Sequence, residues 1–172
     1  MPRKNKKLPR HLLVIRTSAM GDVAMLPHAL RALKEAYPEV KVTVATKSLF
    51  HPFFEGLDVG FLDIETRRTH RGIRGAIRFA REAAELKIDA VADMHNVLRS
   101  KMVRAALHLR GIPVSVIHKG RIEKYMRLGR GSEGVKPLKH TVIRYCDVFR
   151  RLGFDFPDPR PAEKRPLSLI HI

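Results

Sequence analysis

Five short apolar stretches, each followed by a turn or a segment with helical spacing, constrain this chain more than anything else in it. Leu12–Arg16, Val40–Thr46, Val59–Ile64, Ile88–Asp93 and Pro113–His118 read as strands. Asp22–Tyr37 carries Val23, Leu26, Leu30, Leu33 and Ala36 at helical spacing. Pro27 falls early in that helix, where proline costs least, and Pro38 stops it. Ile73–Leu86, Val97–Leu109 and Thr141–Leu152 read as further helices, and Arg121–Leu128 as a short one. Ser48–Gly56 is a short helix or loop, and Gly129–Gly134 a loop. Strands that alternate with helices predict a parallel α/β sheet with right-handed crossovers. Ligands in such sheets bind at the carboxyl ends of the strands. Three polar clusters fall there: Thr17–Asp22, Asp93–Asn96 and His118–Arg121. There is no internal repeat.

The charge narrows the partners. The chain has 172 residues, with 34 Lys and Arg against 17 Asp and Glu, a net charge of +17. That excess implies a polyanionic partner: nucleic acid, an anionic membrane surface or a phosphorylated substrate. The length suits one domain with its own core. The single cysteine, Cys146, excludes an intrachain disulfide and fits a reducing compartment. It sits in an apolar helical pattern and reads as a small buried hydrophobe. The first ten residues are basic, but the apolar run after them is too short for a signal-peptide core. No run approaches the length of a membrane span.

Asp22 is the candidate for chemistry. It stands at the start of a helix, after Gly21, at the end of the first strand. One reading makes it an N-cap, accepting a hydrogen bond from a free backbone N–H. The other lets Gly21 admit a ligand to the backbone while the helix N-terminus offers donors to an anion. The carboxylate beside it would then take a proton from an attacking hydroxyl. The loop is neither the glycine fingerprint of a dinucleotide fold nor a P-loop. No cluster of His, Cys and Asp has metal-ligand spacing, so no metal and no cofactor are expected.

Three stretches together resemble glycosyltransferase family 9, the ADP-heptose:lipopolysaccharide heptosyltransferases. "LLVIRTSAMGDVAMLPHALRALKEAYPEVKVTVAT" resembles the opening of that family, where a strand ends in an Arg/Lys-x-Ser-x-x-Gly-Asp loop. "KIDAVADMHNVLRSKMVRAALHLRG" resembles its second landmark, a strand ending in Asp before a turn and a Leu-Arg/Lys-Ser helix start. "KHTVIRYCDVFRRLGF" resembles its third, a His-x-x-x-Arg helix in which His140 and Arg144 would share a face. The resemblance implies a Rossmann-like domain, the N-terminal, acceptor-side half of a two-domain GT-B glycosyltransferase. It implies inverting transfer of a heptose-type sugar from an ADP-sugar, with Asp22 as catalytic base and Ser18, Met20 and Gly21 on the loop facing the donor diphosphate. The implied acceptor is a phosphorylated lipid A–Kdo core, at the cytoplasmic, inner face of the membrane. Candidate acceptor- or phosphate-binding residues are Arg67, Arg68, Arg71, Asn96, Arg99, Ser100, Lys119, Arg121, His140 and Arg144.

The basic residues fit such an acceptor. Six arginines lie between Arg67 and Arg81 with no acid among them, and residues 97–144 hold twelve Lys or Arg against Glu123 and Glu133. An anionic membrane surface is a partner of the same kind. Any single one of these charges can equally be a solvated helix face. The expected organisation is a basic tail over residues 1–10, the Rossmann-like domain over 11–154 and an irregular tail over 155–172. "PLSLIHI" reads as adaptor read-through on a truncated gene, with the nucleotide-sugar domain absent and the chain inactive alone. The alternatives are a basic nucleic-acid-binding domain and a non-catalytic phosphate-binding scaffold. Against the first, the sequence lacks aromatic-interleaved RNA-binding segments, zinc spacing and a helix-turn-helix signature, so no specific nucleic acid is expected.

Overall fold

The first strand, β1 (His11–Ile15), is buried at every residue. Its side chains alternate between two cores: Leu12 and Val14 enter one, Leu13 and Ile15 the other. A strand covered on both faces must be apolar throughout, which is why its sequence is a continuous run. The computed structural model describes residues 8–65, 69–118 and 139–159. Within them β1 is the centre of a five-stranded sheet with β2 (Lys41–Thr46), β3 (Gly60–Asp63), β4 (Ala90–Asp93) and β5 (Val114–Val116). The order is β3-β2-β1-β4-β5 and every pairing is parallel. This is the parallel α/β sheet that the alternation predicted, Rossmann-like as the family resemblance implied.

Helices cover both faces. On one side α2 (Leu26–Ala36) and α5 (Thr141–Arg151) bury Leu26, Leu30, Leu33, Tyr145 and Phe149 against Leu12, Val14, Val42 and Val44. On the other, α3 (Gly72–Glu85) and α4 (Leu98–His108) bury Ala76, Phe79, Ala83, Val103 and Leu107 against Leu13, Ile15 and Val91. Each fully buried Leu or Phe contributes about 1.5–3 kcal/mol. A 3-10 segment, Ser48–Phe54, follows β2. Cys146 is fully buried, as expected, and burial pushes its thiol up to about 11.

Two local expectations change. The helix expected over residues 22–37 is two helices, α1 (Met20–Ala24) and α2, which meet at Met25. Pro27 explains the break: it has no N–H for the carbonyl of Val23, and its ring crowds that carbonyl. Second, β3 and β5 are shorter than the apolar runs that contain them. After Gly153 the chain is irregular where it is described, yet packed. Phe154 and Phe156 are buried, and the Tyr37 hydroxyl donates to the Asp155 carbonyl at 2.9 Å. The helix expected over 121–128 and the loop over 129–134 lie outside the described residues.

One glycine is required by packing. A Cβ on Gly75 would fall 2.6 Å from the Cα of His70 and 2.7 Å from its carbonyl oxygen. His70 cannot retreat. Its Nδ1 accepts the Glu65 N–H at 3.1 Å, so Nε2 carries the proton it shares with Glu82 at 3.0 Å. Gly75→Ala is expected to destabilise the fold by about 1–3 kcal/mol through overpacking, read as a lower urea midpoint. An unchanged midpoint would mean that the β3–α3 connection yields freely.

Candidate functional site

The strand order reverses between β1 and β4, and the chain leaving each strand turns away from its neighbour. A crevice opens at such a point, beyond the carboxyl ends of the strands. Arg16–Asp22 lines one side of it and Asp93–Asn96 the other, two of the three polar clusters read from the sequence. Of the third cluster only His118 is among the described residues.

Arg16 joins the two sides. It follows β1 directly, is 5% exposed, and donates from one guanidinium nitrogen to the Met94 carbonyl. Its other terminal nitrogen forms an ion pair with Oδ2 of Asp22. A buried guanidinium needs such partners, because an unpaired charge there is costly. The Asp22 side chain keeps 45% of its surface open. Its main chain is held as well: the Tyr145 hydroxyl, on α5, donates to the Asp22 carbonyl at 2.9 Å. Burial pushes the Tyr145 phenol up to about 12, so it stays a neutral donor. Asp22 is not the N-cap. Ala19 holds that place with no side-chain bond, and Asp22 is the third residue of α1.

The loop before Asp22 is open. Ala19, Met20 and Gly21 are exposed, and Ser18 is half-buried with its hydroxyl 3.5 Å from Nε2 of His95. Nothing lies within 4 Å of where a Cβ on Gly21 would stand, so protein packing does not demand glycine there. α1 has only five residues, too short for much of a helix dipole.

The β4 side is built by Asp93, which is fully buried. Its Oδ1 accepts the N–H groups of His95 and Asn96 at 2.9 and 2.8 Å, and its Oδ2 pairs with Arg104 at 3.1 Å. Asn96 takes a left-handed backbone, φ 47°, and its side chain ties Ile117 to Arg104. Ser100 is buried and caps α4, its hydroxyl accepting the Val97 N–H at 3.0 Å. Asn96 and Ser100 therefore act within the turn. Arg99 borders a pocket of about 40 Å³ with Thr17, His70 and His95. That is room for roughly three waters, not for a sugar.

The other predicted residues are dispersed. Arg71 is the exposed N-cap residue of α3. His140 precedes α5 as its N-cap and accepts the Val142 N–H, so it does not share a helical face with Arg144. Arg144 donates to the Lys139 carbonyl at 2.9 Å. Arg67, Arg68, Lys119 and Arg121 lie outside the described residues. Sequence reasoning named neither Arg16, Asp93 nor Tyr145 as a site residue, although Asp93 opens one of the polar clusters and Arg16 the Arg/Lys-x-Ser-x-x-Gly-Asp stretch. A charge directly after a buried strand was a signal for Arg16, and an acid closing an apolar strand was one for Asp93. Tyr145 carried none, being one aromatic in an apolar helical pattern.

No protein-family model matches the sequence, and no curated protein matches it. Solved structures do. A glycosyl transferase family 9 protein from Veillonella parvula superposes with a TM-score of 0.64 at 17% identity, over 89% of this chain and 44% of that one. The chain has the fold of family 9 glycosyltransferases. E. coli heptosyltransferase WaaC with ADP gives a TM-score of 0.59 at 21% identity, over 88% of this chain and 49% of that one. E. coli ADP-heptose lps heptosyltransferase II gives 0.54 at 21% identity, over 93% and 45%. The chain thus spans about half the length of the glycosyltransferases it matches, and the resemblance read from its three landmark stretches is met by structures.

Proposed function

We propose that this chain is the acceptor-side half of an inverting glycosyltransferase that moves a heptose-type sugar from an ADP-sugar to a phosphorylated lipid A–Kdo-type acceptor. The observation that carries the reading is the carboxylate of Asp22 at the β1/β4 crevice, fixed by Arg16 through Oδ2 and by Tyr145 through its main chain. A half-open carboxylate held there suits a base that takes a proton from an acceptor hydroxyl as it attacks the anomeric carbon and the diphosphate leaves. The open space at Gly21 lets a diphosphate approach the backbone. Ser18 and Met20 border the same approach. Basic residues, Arg71, Arg99 and Arg144 among them, suit acceptor phosphates, and the work would be done at the cytoplasmic face of the inner membrane.

In a two-half transferase the donor is gripped across the cleft by the opposite half. Residues 1–172 by themselves are therefore expected to bind ADP-sugar weakly, with little preference over UDP-sugar, and to transfer nothing. Positioning explains why: misplacement by about 1 Å can cost ~10²-fold. Calorimetry with both donors, alongside a titration with soluble phosphorylated Kdo–lipid A headgroup, tests the reading. Headgroup binding that falls steeply with salt supports it. Tight, base-selective donor binding or measurable transfer would show a site complete within these residues. No headgroup binding at low salt would remove the acceptor assignment.

A further inference from the structure

We propose that the outer face of α3 and the start of α4 dock the chain on an anionic lipid bilayer. On α3, Gly75, Ala76, Phe79, Ala80 and Ala83 face the core. The opposite face is not simply polar. Ile73 is 67% exposed and Ile77 47%. At 3.6 residues per turn they stand about 40° apart, and Arg81, Arg74 and Arg78 follow within roughly the next 100° of arc, interrupted by one exposed acid, Glu85. Arg78 bonds Glu82 at 3.0 Å. Arg74 and Arg81 make no ion pair among the described residues. α4 packs in the same core cluster as α3 and has no acidic residue. At its start Leu98 is 75% exposed, with exposed Lys101 one turn on.

A single exposed aliphatic needs no explanation. Here three stand on two adjacent helices beside unpaired cations. A nucleic acid would use the cations and leave the aliphatics in water. A bilayer interface uses both, cations among the headgroups and aliphatics just below them. The sign of the charge, +17 overall, fits an anionic surface. In a parallel α/β sheet each helix starts beyond the carboxyl end of a strand, so Ile73 and Leu98 lie at the crevice end. Docked this way, the crevice meets the membrane plane, where a lipid-linked acceptor presents its sugar. That purpose rests on the function proposed above; the docking itself does not.

The chain contains no tryptophan, so Ile77→Trp supplies its single tryptophan, excited apart from the three tyrosines at the red edge of their absorption. Vesicles of phosphatidylglycerol and phosphatidylcholine, with no acceptor or donor present, are the probe. Expected are a blue shift of the emission and its quenching by lipids brominated high on the acyl chain, with neither on pure phosphatidylcholine. In co-sedimentation, Ile73→Ser with Ile77→Ser should lower partitioning at least about ten-fold at unchanged charge. Arg74→Gln with Arg81→Gln should lower it by about ten-fold or more and flatten its salt dependence. Arg31→Gln, on the exposed side of α2, should change it less than about two-fold by the same surface electrostatics. All five positions are exposed, and circular dichroism checks the fold. Unquenched tryptophan on bound vesicles overturns the proposal and leaves the crevice reading standing. So does binding that ignores both isoleucines and is displaced by duplex RNA, which would make the face a nucleic-acid surface.

Discussion

Asp22→Asn, with a donor-binding half supplied in the same chain, is expected to transfer sugar ~10²–10⁴ times more slowly than the parent. Asn preserves size and shape but cannot take the proton of the attacking hydroxyl. The surroundings should hold. Tyr145 bonds the main-chain carbonyl of residue 22, which the substitution leaves in place, and Arg16 keeps the Met94 carbonyl. The loss should therefore fall on kcat, with only a modest fall in melting temperature, because the Asn oxygen can still accept from Arg16 although the charge is gone. Transfer within a few-fold of the parent would reassign Asp22 as a counter-charge that keeps Arg16 in place across the crevice. Reduced acceptor affinity with unchanged kcat would make it a binding group.

Asp93→Ala should be strongly destabilising, by about 3–5 kcal/mol. The carboxylate is wholly buried and serves three donors at once. Its removal strands the N–H groups of His95 and Asn96 and leaves Arg104 without its anionic partner. Each orphaned donor adds to the loss, since a buried polar group without a partner forfeits its hydration. Asp93→Asn keeps an oxygen for the two N–H groups but turns an NH2 donor toward Arg104 where Oδ2 had accepted, so it should cost less than Asp93→Ala while still losing the Arg104 pair. Urea unfolding of the two variants beside the parent separates these contributions. A loss under about 1 kcal/mol for Asp93→Ala would mean that water replaces the carboxylate in the turn. Because Met94 and His95 form the β4 side of the crevice, the same substitution should also loosen Arg16.

The elements were legible because each is local. A strand buried on both faces must be continuously apolar, and a helix lying on a sheet must repeat its apolar residues every three or four positions. These rules bring all five strands and the four long described helices to within a few residues of their observed bounds. They failed at Met25, where Pro27 interrupts an apolar pattern that runs on past it. They failed again at His140, whose spacing from Arg144 is helical but whose backbone is not. The candidate base was legible too, since an acid beside a glycine after a buried strand is written in consecutive residues.

What the sequence by itself determined about this protein is its βα alternation, the burial of β1, the polar makeup of the Ser18–Asp22 loop and the sign of its net charge. What only the tertiary structure decided is which groups that loop meets. Strand order sets Met94 opposite Arg16, 78 residues away in the chain, and α5 brings Tyr145 to Asp22 across 123 residues. The reason is physical. Strand order and helix docking follow from burial of both sheet faces at once, a condition on the whole chain. No window of sequence contains both partners of an ion pair or a hydrogen bond made across such a sheet.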